Sequence, residues 1–156
     1  MSLRRATSAP TLDTVRKGIL GIVAFGTLGM AAELLLIGHY EDPSQLLPLA
    51  CAVVGLALLM WAWLRPGVVP LRTLQFVMLT FVGAGITGIT LHFEASAEFQ
   101  REIDPAISGM ALVRKVMDAT APPLLAPGVM VQLGLLGLLY TYRHPALGDD
   151  PLDGAS

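Results

Sequence analysis

Between Gln45 and Arg65 the chain runs LLPLACAVVGLALLMWAWL without a single charged side chain. Few folds accept such a segment. Crossing ~30 Å of hydrocarbon takes roughly 20 mostly apolar residues in a helix, because lipid offers no partner for backbone N–H and C=O groups. Three more stretches meet that condition. Residues 18–38 run from Gly18 to Gly38 with Glu33 as their only charge, 73–91 read TLQFVMLTFVGAGITGITL, and 124–142 read LLAPGVMVQLGLLGLLYTY. The composition agrees: of 156 residues, 54% are hydrophobic and 14% charged, whereas soluble domains carry about a quarter charged residues. The predicted class is all-α, a polytopic membrane protein with four transmembrane helices at 18–38, 46–64, 73–91 and 124–142. For the first stretch a cleaved signal peptide is the other reading, with Arg16 and Lys17 as its basic region and GMAA as small residues for cleavage. Its apolar run continues well past that point, longer than such signals usually are.

The basic residues predict the orientation. Arg4, Arg5, Arg16, Lys17, Arg65, Arg72 and Arg143 fall on one side of the four spans, and Arg101, Arg114 and Lys115 on the other. Seven against three places the first side in the cytoplasm by the positive-inside rule. Both termini are then cytoplasmic, in the plasma (inner) membrane. Trp61, Trp63, Tyr140 and Tyr142 share that side, as an interfacial aromatic belt would. Residues 1–15 and 148–156 are polar and rich in Pro, Gly, Ser or Thr, and are expected to be disordered cytoplasmic ends around a four-helix bundle at 16–147. The net charge of −2 and the scattered Lys and Arg give no sign of a nucleic-acid partner. Cys51, the one cysteine, excludes an intrachain disulfide and reads as a small buried apolar residue.

Residues 94–119 are too polar to span but are patterned. Phe99, Ile103, Ile107, Met110, Val113 and Met117 recur at intervals of three and four, which predicts one apolar helical face. Asp104 and Pro105 read as the cap and first position of a helix, and APP at 121–123 as its stop. Two short helices, about 94–103 and 105–119, are expected on the outer surface. There they would rest on lipid, close a site, or dock a partner.

Glu33 is the most informative single residue. It lies at helical spacing from Gly18, Ile22, Gly26 and Gly29, and small residues let membrane helices approach closely. That predicts Glu33 turned into the bundle, ~7–8 Å below the outer end of its span at 1.5 Å per residue. Thr80, Ala84, Thr87 and Gly88 would form a matching face on the third span, and Gln132 lies at comparable depth on the fourth. A hydrogen bond from Glu33 to Gln132 or Thr87 would be glue between helices. A carboxylate serving protons, a cation or a cationic ligand is the functional alternative. His39, Glu41 and Asp42 follow the first span, and His92 and Glu94 follow the third. With Glu33 they define a candidate polar cluster at one membrane side. His39, His92, Glu94 and Asp42 have the chemistry of metal ligands, and the same groups could relay protons. Solvated helix ends are the plain alternative. Two histidines also raise bis-His haem, but its ligands would lie deeper within the helices, and no cofactor is expected. No Ser/His/Asp set or phosphate loop is present, so nothing points to an enzyme.

The stretches ELLLIGHYED, LH at the end of the third span, and LLYTYRHP at the exit of the fourth resemble a set of small bacterial four-span integral membrane proteins. The resemblance rests on Glu33, Gly38, His39, Glu41, Asp42, His92, Tyr140, Tyr142, Arg143, His144 and Pro145. It implies a fold and a location and brings no activity with it. The expected function is a non-enzymatic accessory or scaffold subunit of a membrane assembly, its partners being the bilayer and another membrane protein or further copies of itself. The alternative is an ion-, proton- or small-ligand-handling protein that uses the outer cluster as an oligomer.

Overall fold

The computed structural model of the chain describes residues 3–118 and 125–148. It is all-helical: α1 (Leu3–Leu36), α2 (Pro43–Leu64), α3 (Val68–Ile103), α4 (Gly109–Met117), α5 (Leu125–Thr141) and a final 3-10 turn at Pro145–Leu147. Three of these helices, α1, α2 and α3, contain segments long and apolar enough to cross a membrane; α5 is apolar and shorter. Large apolar side chains cover their outer surfaces, with Phe25 81% and Phe76 71% exposed. Faces of that kind are at home in lipid and not in water.

Helix α1 packs on α2 and α5, and α3 packs on the same two, most extensively on α5. The core lies between them, with Leu20, Val23, Met30, Leu59, Leu74, Met78, Phe81 and Leu133 among its buried members. Closest approach occurs where α3 meets α5, and glycine permits it. A Cβ on Gly134 would sit 2.7 Å from the Met78 carbonyl oxygen, and one on Gly85 would sit 2.7 Å from that of Pro127. Cys51 is buried and unpaired, as its apolar setting predicts.

Several boundaries differ from expectation. Helix α1 begins at Leu3, so the structure draws residues 3–15, expected as a separate polar end, in one helix with the first apolar stretch. An existing helix adds one hydrogen bond per residue without a new nucleation cost. The Lys17–Asp13 ion pair at 2.7 Å also supports this turn. At the other end of the chain, residues 149–156 of the predicted tail lie outside the described residues, as does the APP stop at 121–123.

The helix that holds the third apolar stretch does not stop at Leu91. Helix α3 runs unbroken to Ile103, 36 residues and about 54 Å. Asp104 ends it, and its Oδ1 accepts a hydrogen bond from the Ala106 N–H at 3.1 Å. The Asp-Pro pair is therefore a turn, and α4 starts later, at Gly109. The hairpin has its own small core of Ala97, Leu112 and Val116, with Phe93 and Ile107 against it. Phe99, Ile103 and Met110, expected on one common face, are exposed. Phe99 and Ile103 still share a face of α3, but the run beyond them crosses the turn at 104–108, and a helical period means nothing across a break between two helices.

Candidate functional site

Two opposite ends of the packed helices carry the polar residues. At one end the TYRHP stretch forms a clasp. Thr141 is fully buried and accepts a hydrogen bond from Gln75 Nε2 at 3.1 Å, tying α5 to α3. Arg16 of α1 donates to the Arg143 carbonyl oxygen at 2.7 Å, beyond the end of α5. Carbonyls there lack helical partners, and a cation is favourable beside them. His144 Nδ1 accepts from the Ala146 N–H at 3.2 Å, starting the 3-10 turn. Burial, and secondly the Arg16 charge, lower the His144 pKa, with Asp13 opposing. Tyr140 is buried, with its ring 5.5 Å from that of His144. It is therefore a packing residue, whereas Trp61, Trp63 and Tyr142 are exposed as a belt requires.

The other end brings His39 and His92 together. Gly38 adopts φ +70°, and the His39 N–H donates back to the Leu34 carbonyl while the Gly38 N–H donates to that of Leu35. This pair of bonds is a Schellman close, which needs a left-handed residue at the glycine position. It turns His39 back over the helices. His92 arrives from α3, and the two ring centroids are 6.0 Å apart, inclined at 30°. Helices α1 and α3 are not packed on each other directly, so the two imidazoles meet across the space between them.

Beneath the pair lies a cavity of about 690 Å³. Its longest wall is the stripe Thr80, Gly83, Ala84, Thr87, Gly88 and Leu91 on α3, at helical spacing below His92. Met30 and Leu34 of α1, Pro48 of α2, and Pro127 and Met130 of α5 contribute further walls. Small side chains create this space. Gly85 and Gly88 draw α3 against Pro127 of α5, while Leu47, Thr80, Gly83 and Thr87 remain exposed along the side shared by α2 and α3. The cavity is thus open sideways. Gln45 also lines it, and its Oε1 accepts from the backbone N–H groups of Glu41 (3.0 Å) and Asp42 (3.3 Å). That leaves the Gln45 amide NH2 as a donor.

The acidic members of the predicted cluster stay outside. Glu33 is exposed, as is Gln132, so the expected bond between them, or to Thr87, is absent. The buried face of α1 is Leu20, Val23, Thr27, Met30 and Leu34, and Glu33 precedes Leu34 by one residue, about 100° round the helix. Larger apolar side chains weighed more than the glycines in which face turned inward: of the predicted face, Gly18 and Gly29 meet nothing, whereas a Cβ on Gly26 would sit 2.6 Å from Leu133 Cδ2 of α5. Glu41 and Asp42 are exposed, Asp42 being the N-cap residue of α2, and Glu94 is exposed on α3. Among the described residues no three His, Cys, Asp or Glu side chains form a set able to hold a metal; Asp42 and Glu94 do not join the histidine pair. Sequence reasoning missed Gln45, although the D-x-x-Q spacing from Asp42 is the signature of a reciprocal cap.

No protein-family model, curated protein or solved structure matches the chain.

Proposed function

We propose that the chain is a four-span protein of the plasma membrane, with both termini cytoplasmic, that binds a small ligand in the cavity beneath His39 and His92. The cavity carries this reading. Its ~690 Å³ lies within the roughly 300–1,000 Å³ of small-molecule sites, and its apolar walls with few polar groups match their usual lining. As fourth span, α5 has 17 residues, at the lower end of the ~17–25 that suffice. The concentration of Arg16, Lys17, Arg65, Arg72 and Arg143 at the clasp end supports that end as cytoplasmic. The resemblance to small bacterial four-span proteins accords with this membrane and with no particular chemistry.

Gly83 provides the test. Gly83 lines the cavity at its open side, and a Cβ there meets nothing within 4 Å, so Gly83→Trp adds bulk at the cavity mouth with no clash at its Cβ. Small molecules are extracted from the purified wild type and from this variant and compared by mass spectrometry. One species retained by the wild type should fall about tenfold or more in the variant, the change expected from ~1.4 kcal/mol of lost binding. Identical extracts from two equally folded proteins would overturn the reading.

An accessory role in a membrane assembly is the second reading. It is favoured by one observation: Phe99, Ile103 and Met110 of the hairpin beyond the histidines expose apolar side chains of the kind that partners cover.

A further inference from the structure

We infer that the ligand is a phospholipid of the outer leaflet, with one acyl chain drawn sideways into the cavity and its phosphate held by His39, His92 and Gln45. This rests on the ligand-binding reading above and names the ligand's class.

Three features of the cavity lead there. The first is its depth. The lining on α3 extends from Thr80 to His92, twelve residues or ~18 Å of helix. Half of the ~30 Å hydrocarbon core is ~15 Å, so the wall runs the length of one leaflet's acyl chain. The second is the direction of the opening. Leu47, Thr80, Gly83, Thr87 and Leu91 line the cavity and are exposed, and they belong to the apolar stretches of α2 and α3. In a bilayer that side meets acyl chains, not water. A lipid chain is therefore the occupant at highest local concentration, and it enters without crossing a polar barrier.

The third feature is the distribution of polar groups. Among the described residues no Asp, Glu, Lys or Arg lines the cavity. The Thr80 hydroxyl on the long wall donates to the Phe76 carbonyl of its own helix at 3.1 Å. Apart from the Thr87 hydroxyl farther along the same wall, hydrogen-bonding capacity gathers at the histidine end, where two imidazoles 6.0 Å apart and the Gln45 amide NH2 can all donate. An apolar shaft ending in donors fits an apolar chain ending in acceptors. Among bilayer components the phosphodiester, with its unesterified oxygens, is that acceptor.

The full-length protein is reconstituted into vesicles of phosphatidylethanolamine and phosphatidylglycerol containing a trace of phosphatidylcholine with a mid-chain diazirine. After illumination, crosslinks above the background of the lipid-facing surfaces should concentrate at residues 46–48 and 80–91. After detergent exchange, native mass spectrometry should find one phospholipid per chain. Gly83→Trp should reduce both signals about tenfold or more. The paired change His39→Leu and His92→Leu should leave the crosslinking positions in place while the lipid dissociates faster, since only the headgroup loses partners. If a non-lipid molecule is retained by the wild type and lost from Gly83→Trp, the lipid assignment is wrong and the ligand-binding reading stands. If a second copy of the chain occupies the groove, crosslinks run between protomers and the assignment likewise fails. If Gly83→Trp changes no bound species, both fall.

Discussion

At the scale of single residues, His144 carries the clearest pH dependence. Burial and Arg16 lower its pKa in the folded protein, so folding favours the neutral ring. Its contribution is complete above the unfolded value of about 6.5 and is lost as pH falls below that through the depressed folded value. Asn at this position keeps an N-cap oxygen and does not titrate. Melting curves from pH 7.5 down to 5 should show the wild type losing more stability than His144→Asn, and parallel curves would exclude His144 as the cause. Glu33 gives a second prediction. It is exposed on α1 with no bundle partner, so Glu33→Leu removes an unfavourable charge from an apolar surface. The melting temperature in detergent should hold or rise. A drop of several degrees would mean that the carboxylate supports packing after all.

The elements were unevenly legible. Apolar length was enough to place α2 and the membrane portions of α1 and α3, because hydrocarbon thickness fixes span length independently of tertiary detail. Helix facing was not. Glycine spacing suggested the inward face of α1, yet Gly18 and Gly29 lie open and Gly26 alone of the three meets a neighbour, Leu133 of α5, while the approaches to backbone formed at Gly85 and Gly134 between α3 and α5. Small residues permit approach but do not choose a partner; that choice depends on which larger side chains interlock. The site was half visible. His39 and His92 could be placed at one end from the hairpin topology, and Thr80, Ala84, Thr87 and Gly88 formed a recognisable stripe. What the stripe left empty could not be read from one helix. The α3–α5 contact makes its own prediction. Gly134→Val places methyl groups against the Met78 backbone, and overpacking of this kind costs about 1–3 kcal/mol. The melting temperature should drop by several degrees, whereas Gly29→Val, with nothing near it, should change it little.

For the whole molecule the decisive measurement is sidedness. Cysteines placed at Asp42 and at Val68, each exposed at an opposite end, in a Cys51→Ala background, are labelled with an impermeant maleimide on intact cells. Position 42 should react and position 68 should react only after permeabilisation; the reverse pattern would invert the orientation. The length of α3 has a mechanical consequence. One stiff rod carries the Gln75 clasp near its foot, the close glycine contact at Gly85, the cavity wall, and the hairpin core at Ala97. With Gly85 as fulcrum, Ile103 lies about 27 Å up the lever arm at 1.5 Å per residue. A tilt of roughly 5° there, small enough for side chains to absorb, swings the tip by ~2 Å on that arm. Wedging the cavity wall open by less than the width of a methyl group would thus be written, magnified, at the far end of the rod.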